Sequence, residues 1–209
     1  FLPIEIVLGK WLCGLIILSQ MLLLTFPLVV TLGVLGEPDW GTVISGYVGA
    51  ILALALMYAV AILASAVSAD EVSSFLLGSC ALFALIFLDV DALQIAALPN
   101  LIEQISRFTF IASPAHWFDE FTVGKISLSG MFYFLTLTSI CIGLASYQID
   151  GYRKTSFVLS YFPVLSVISL FFCAGLVGVT ANIINNFGMR LDFTHAKEYT
   201  FSSKTLELA

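Results

Sequence analysis

The sequence predicts an all-α fold, a polytopic transmembrane bundle of about five helical spans. Hydrophobic residues make up 60% of the chain and charged residues only 11%, whereas soluble domains carry about 25% charged residues. Uncharged apolar runs also recur between short polar breaks, and a helix needs roughly 20 such residues to cross the hydrocarbon core. The net charge of -6 argues against nucleic acid as a partner, because nucleic acid requires a basic surface.

The first two predicted spans form a hairpin, residues 11–35 and 42–69. The break between them, 36–41, contains glycine, proline and two acidic residues, which is the composition of a tight turn. The second run is rich in alanine, glycine and serine, which let helices approach closely in lipid. A third, short span is predicted at 72–88 and ends at two aspartates.

Residues 1–10 precede the first span and mix apolar with charged residues, including Glu5 and Lys10. Because Pro3 is favourable at the first turn of a helix, this stretch predicts a helix lying at the membrane face and leading into the first span. The chain begins in the middle of this pattern, so we expect it to be a piece of a longer protein.

The segment 92–128 has the pattern of neither a span nor an ordinary loop. Apolar residues recur at helical spacing over 101–111 with polar residues between them, which predicts an amphipathic interfacial helix. Pro114 ends this pattern and a second short amphipathic turn follows. In that turn, Trp117 and Phe121 are predicted to lie in the aromatic belt at headgroup level.

Two further spans are predicted at 131–148 and 156–182, followed by a polar tail at 185–209 that reads as the start of a soluble segment. Basic residues near the span ends only weakly favour a cytoplasmic position for Lys10 and Arg153.

The chain carries few signals of chemistry. It has no G-x-x-x-x-G-K-[ST] loop for nucleotide phosphates, and its four cysteines lie in apolar runs, where they are predicted to be small buried hydrophobes. His116 and His195 are predicted to be surface or interfacial residues. No ionisable residue lies in the middle of an apolar run, which argues against an ion-coupled transporter. We therefore expect no catalytic group, no cofactor and no metal, and hence no enzyme.

Five stretches of the sequence match segments of one protein family, in the same order as in that family. They read IEIVLGK at 4–10, LGEPDWG at 35–41, GYVG at 46–49, SPAHWFDEF at 113–121 and GKIS at 124–127. Together they resemble the ABC-2 permease family, closest to its gliding-motility-associated branch, which includes the permease linked to nitrous-oxide reductase maturation.

This resemblance implies a six-span permease of the bacterial inner membrane whose first two spans are missing here. The first four spans would be spans three to six, within a permease part at 1–155. The segment 92–128 would contain outward-facing re-entrant helices, with Pro114, His116, Trp117 and Phe121 as their candidate residues. Orientation with Lys10 in the cytoplasm agrees with this implication.

The implied partners are a separate ABC ATPase subunit, a second permease copy and membrane lipid. The candidate residues for coupling to the ATPase, or for the cytoplasmic interface in general, are Glu5, Lys10, Arg153 and Lys154. Ordinary interfacial anchoring is the alternative role for all four.

The end of the chain resembles a different protein, the auxiliary subunit that is paired with this permease. Residues 185–205 are similar to its start, although Phe193 and Phe201 stand where leucine is more usual. The part 156–209 would then be an auxiliary unit with one span and an extracytoplasmic domain, fused to the permease.

Two functions remain open from the sequence. The first is the membrane-spanning component of an ATP-driven exporter working by alternating access. The second is a non-transporting anchor or scaffold for surface or envelope machinery. No residue pattern identifies a substrate.

Overall fold

The computed structural model describes residues 2–36, 39–87, 110–154, 162–186 and 190–192. About 90% of this part of the chain is helical, which confirms the all-α prediction. In chain order the elements are α1 (Pro3–Leu23), α2 (Phe26–Leu35), α3 (Trp40–Val67), α4 (Glu71–Phe87), α5 (Pro114–Thr122), β1 (Lys125–Ser127), α6 (Leu128–Lys154), α7 (Phe162–Asn186) and β2 (Arg190–Asp192).

Three helical stretches are long and apolar enough to cross a membrane, namely Pro3–Leu35, Trp40–Val67 and Leu128–Gly151. Two shorter apolar helical stretches are Glu71–Ile86 and Ile168–Ile184. These helices agree with a membrane-embedded protein, as the composition predicts.

Helix α1 begins at Pro3 and continues through Lys10 into the first apolar run without a break. The predicted helix that starts after Pro3 and leads into the first span is therefore confirmed, while its position at the membrane face stays a prediction. Leu2 is extended, and its N–H donates to Oε2 of Glu5 at 3.1 Å. This bond satisfies one of the N–H groups that a helix start leaves without a partner, so α1 begins outside the predicted span.

The predicted span at 11–35 is divided by a break at Leu24 and Thr25. Pro27 has no N–H to donate to the carbonyl of Leu23, four residues earlier, and its ring crowds that carbonyl. The N–H groups of Thr25 and Leu28 instead donate three residues back. The first apolar run is therefore two helices in succession.

Helix α3 lies at the centre of the bundle and packs against α1, α4, α5 and α6. Its start is capped by Asp39, which accepts from the Gly41 N–H and the Thr42 hydroxyl, both at 3.0 Å. Its second half is buried at most positions from Ala55 to Val67. Helix α2, by contrast, has no buried residue, so the predicted hairpin packs through α1, whose Trp11 Nε1 donates to the Ala55 carbonyl at 3.0 Å.

Helix α6 extends beyond its predicted span at both ends, and α7 continues to Asn186, past the predicted end at 182. Both helices share one core with α3. Leu137, Cys141 and Ala145 of α6 are buried in the same cluster as Leu170 and Ala174 of α7. The last predicted span therefore packs directly on the helices that precede it. The cysteine prediction is wrong for two positions, since Cys13 and Cys80 are exposed on helix surfaces.

A two-stranded antiparallel sheet joins the segment before α6 to the segment after α7. Lys125 pairs with Asp192, and Ser127 pairs with Arg190. The turn into β1 uses Gly124 at φ 86°, a conformation that favours glycine. Thus the first residues of the predicted soluble tail return to the bundle, while 193–209 lie outside the described residues.

Candidate functional site

The sequence-predicted residues fall at two opposite ends of the bundle. We name them the Lys10 end, which contains the start of α1, the end of α3 and the end of α6, and the Gly124 end, which contains the start of α3, α5 and the sheet. At the Lys10 end, one cleft is lined by Lys10 of α1, by Ser68 after α3 and by Ile149 of α6. At the other end, the hydroxyl of Ser45 donates to the Phe121 carbonyl at 2.7 Å.

The cleft at the Lys10 end has a volume of 420 Å³ and lies between α1, α3 and α6. Ser65 and Ser68 contribute its hydroxyl groups, while Ile6, Val7 and Ile62 contribute apolar walls. The end of a helix carries a partial negative charge, so the C-terminus of α3 favours the Lys10 ammonium in this cleft.

A second cleft, of 530 Å³, opens between the end of α3 and the start of α4. It shares Ser65 and Ser68 with the first cleft and adds Asp70 and Glu71. Both acids lie at the start of α4, where the helix dipole favours negative charge. The Lys10 end therefore presents two neighbouring clefts with hydroxyl groups and charges of both signs.

The four predicted coupling residues share this end, but their roles differ. The carboxylate of Glu5 accepts the Leu2 N–H, so it acts as a helix cap as well as a surface charge. Lys10 is exposed. Arg153 and Lys154 are the last two residues of α6, whose nearby Ile149 lines the same cleft as Lys10. The fold thus places all four at one end.

Helix α5 forms the Gly124 end and is anchored by its first residues. Ser113 is extended, and its hydroxyl accepts the Ala115 N–H at 3.2 Å. Pro114 follows at the first helical position, where a missing N–H has no cost. The buried side chains of α5 are Pro114, Trp117 and Phe121, on one face against the bundle.

The prediction of an aromatic belt at headgroup level is wrong for Trp117 and Phe121, since both are 0% exposed. The Trp117 ring stacks on Tyr133 with centroids 5.6 Å apart, and Phe121 lies 6.3 Å from Phe134. Amphipathic spacing alone fits both a membrane interface and a protein interior, and here the apolar face packs on α3 and α6.

Three side chains bind backbone carbonyls around α5. Trp117 Nε1 donates to the Ile111 carbonyl at 2.9 Å, and the Tyr133 hydroxyl donates to the carbonyl of Ala112. The Ser45 hydroxyl donates to Phe121, as described above. Sequence reasoning missed Ser45 and Tyr133, because an isolated serine or tyrosine in an apolar run carries no pattern.

Two glycines allow close approach of other helices to α5 and to the segment before it. A Cβ on Gly49 would lie 2.6 Å from the Cβ of Phe121, so α3 and α5 could not pack this closely with any other residue there. On α7, Gly178 lies directly against the Ile111 carbonyl. The small-residue pattern of the second span was a signal for Gly49, although it did not identify the partner.

His116, predicted to be a surface or interfacial residue, is half-buried beside aromatic rings. Its ring centroid lies 4.0 Å from that of Phe110 and 5.2 Å from that of Trp117. His195 lies outside the described residues. Among the described residues there is no group of three or more metal-ligating side chains.

Helix α5 lies alongside the first half of α3. Pro114 and Ala115 line a pocket together with Leu56, which is about 24 Å along α3 from Trp40. At its other end, Phe121 contacts Gly49, closer to the start of α3. The N-terminus of α5 therefore lies between the long helices, and its C-terminus lies nearer to the Gly124 end.

In comparisons with known proteins, no family model matches the sequence, and no curated protein or solved structure matches the chain. The resemblance to ABC-2 permeases therefore depends on the sequence stretches given above.

Proposed function

We propose that the chain belongs to the membrane-spanning permease of an ATP-driven ABC-2 type exporter. In this proposal α1 with α2, α3, α4 and α6 are the last four permease spans, and α7 is the span of a fused auxiliary unit. A separate ATPase subunit supplies the energy, and two permease copies form the pathway in a bacterial inner membrane.

The observation that carries the proposal is the position of α5. The family pattern implies re-entrant helices just before the last permease span, and α5 occupies that place in the chain, immediately before β1 and α6. Its start lies beside Leu56 in the middle of α3. Helix α5 runs from the middle of the bundle to the Gly124 end, which is the geometry expected for the outgoing half of a re-entrant segment.

A second observation supports the end at which an ATPase would bind. Glu5, Lys10 and the end of α6 share the Lys10 end, next to two clefts that reach the α3–α4 connection. Movement imposed there would act on α1, α3, α4 and α6 together, because these helices pack on one another. Rigid-body rocking of packed helices needs no catalytic group in the moving part.

The test is co-purification of the full-length protein from its native membrane with crosslinking. We expect a protein with a G-x-x-x-x-G-K-[ST] loop to be recovered with it, and Lys10→Glu to reduce that recovery several-fold because it reverses the charge in the cleft. The matched control is Asp119→Lys, a charge reversal at an exposed position of α5, which leaves recovery unchanged.

The exporter proposal would be contradicted if no such ATPase is recovered and if depletion of candidate ATPases does not change the phenotype that depends on this protein. That result would support the second candidate, a non-transporting anchor. One observation favours an anchor: the C-terminal part of the chain is fixed to the bundle. Strand β2 pairs with β1, and α7 is packed into the same core as α3 and α6. Such a fixed connection would hold an extracytoplasmic domain in place.

A further inference from the structure

Apolar side chains line a partly open cavity of 230 Å³ at the junction of α3, α4, α5 and α6. All of the described residues that line it are apolar. Water is retained in a cavity only where polar groups can hold it by two or more hydrogen bonds. This cavity therefore offers nothing to water and is suited to a hydrocarbon.

The cavity has a buried floor. Leu56, Leu85 and Phe134 are 1–2% exposed and form its inner wall, from three different helices. An apolar void lowers stability in proportion to its volume, and a cavity of about 150 Å³ is already large enough to bind benzene. The larger volume here is sufficient for a section of an alkyl chain.

The rim of the cavity reaches the outer surface of the bundle. Ile86 is 41% exposed, and Met57 and Ala115 are half-buried. The neighbouring outward-facing side chain on α4, Phe83, is 63% exposed. Because the long apolar helices place this surface in the membrane, the molecule that meets the rim is the acyl chain of a lipid.

We propose that this cavity is a binding site for one acyl chain of a membrane lipid, inserted between α4 and α5 with its methylene groups against Leu56, Leu85 and Phe134. The chain fills the space between the long helices and the start of α5. This site does not depend on the proposed exporter function, since it requires only the membrane and the packing of four described elements.

The test uses tryptophan fluorescence, because Trp117 follows Pro114 by one helical turn and precedes Phe118, both of which line the cavity. The protein carries Trp11→Phe and Trp40→Phe, so that Trp117 is the only tryptophan, and is placed in vesicles of phosphatidylcholine brominated in the middle of its acyl chains. Trp117 is 0% exposed, so surrounding lipid is kept at a distance. An inserted chain brings bromine close, and we expect strong quenching.

In a second variant, the substitution Ala115→Phe places a phenyl ring in the cavity. We expect quenching to fall about twofold or more, because a filled cavity has no room for a chain in a close-packed interior. The matched control is Ala84→Phe on the exposed face of α4, which adds the same ring outside the cavity and leaves quenching unchanged. Equal quenching in the two variants, or weak quenching before filling, would overturn the site.

A second measurement uses the unsubstituted protein and does not depend on the folding of any variant. A phosphatidylcholine with a diazirine in the middle of one acyl chain is crosslinked by light, and the labelled peptides are identified by mass spectrometry. We expect label on Met57 and Phe118. Label confined to the exposed residues of α1 and α2 would contradict the proposal.

Discussion

Buried hydroxyl and indole groups hold the chain just before and along α5. Tyr133, Trp117 and Ser45 each donate to a backbone carbonyl, those of Ala112, Ile111 and Phe121 respectively. The Phe121 carbonyl also accepts the Gly124 N–H at 3.3 Å. An unsatisfied buried carbonyl costs free energy comparable to a lost hydrogen bond, so the side-chain donors to Ala112 and Ile111 stabilise the segment before α5, and Ser45 adds a bond that joins α3 to its end.

Tyr133→Phe removes only the hydroxyl that donates to Ala112. Tyr133 is 0% exposed, and a buried acceptor left without its partner costs about 1–3 kcal/mol, so we expect the free energy of unfolding in detergent to fall by that amount. The control is Tyr147→Phe on the same helix, where the ring is 69% exposed. A similar loss in both variants would contradict this role of the Tyr133 hydroxyl.

Gly49 and Gly46 allow a matched comparison on α3. A Cβ on Gly46 meets nothing within 4 Å, whereas one on Gly49 overlaps Phe121. Gly46→Ala is expected to raise the unfolding free energy by up to about 1 kcal/mol through helix propensity. Gly49→Ala is expected to lower it by about 1–3 kcal/mol through overpacking.

Thermal or denaturant unfolding in one detergent measures both variants under the same conditions. An increase for Gly49→Ala as large as that for Gly46→Ala would show that α3 and α5 do not approach as closely as the structure describes.

At the scale of the elements, the first apolar run is divided by one residue. A stretch of 33 residues is longer than the roughly 20 that a span requires, and Pro27 places a break inside it. The Thr25 hydroxyl at the break is hydrogen-bonded to the Tyr47 hydroxyl at 2.7 Å, which connects the break to α3. The helices on each side can therefore take different directions.

Pro27→Ala is expected to join α1 and α2 into one straight helix, because residue 27 can then donate to the Leu23 carbonyl. Spin labels at Ile6 and Leu32, both exposed, would move towards a separation of about 39 Å, the value for a straight helix. Pulsed electron resonance measures this distance. Pro3→Ala is the control, since proline at the first position does not interrupt a helix, and an unchanged distance in Pro27→Ala would identify another cause of the break.

At the scale of the whole molecule, the antiparallel helices separate two chemically different ends. The Lys10 end has clefts with serines and charges, while the Gly124 end has a buried aromatic group and a small sheet. If the apolar helices span the membrane, these ends face opposite compartments.

Single cysteines at exposed positions test this arrangement in a protein whose four native cysteines are replaced by alanine. We expect Asp70→Cys and Gly151→Cys to react with a membrane-impermeant maleimide from one side, and Thr122→Cys from the other. The reason is that α3 and α6 run in the same direction, so Asp70 and Gly151 share the Lys10 end, while Thr122 lies at the Gly124 end. Reaction of all three from the same side would contradict the separation of the ends.

The sequence predicted the helical elements because their signal is local. Uncharged runs of sufficient length indicate membrane helices whatever their neighbours, and the break at 36–41 is marked by its glycine, proline and acidic residues. The amphipathic pattern before α6 also predicted a short amphipathic turn after Pro114, where the structure has α5. It did not predict that Trp117 and Phe121 are buried, since the same spacing serves an interface and a core.

By itself, therefore, the sequence determined that this protein is a set of apolar helices without a catalytic motif, because helix formation in an apolar run depends on composition. Only the tertiary structure decided that α5 is inserted beside Leu56 and that β2 returns to β1. These features depend on contacts between residues far apart in the chain, such as Ser45 with Phe121, and no local pattern specifies which surfaces will meet.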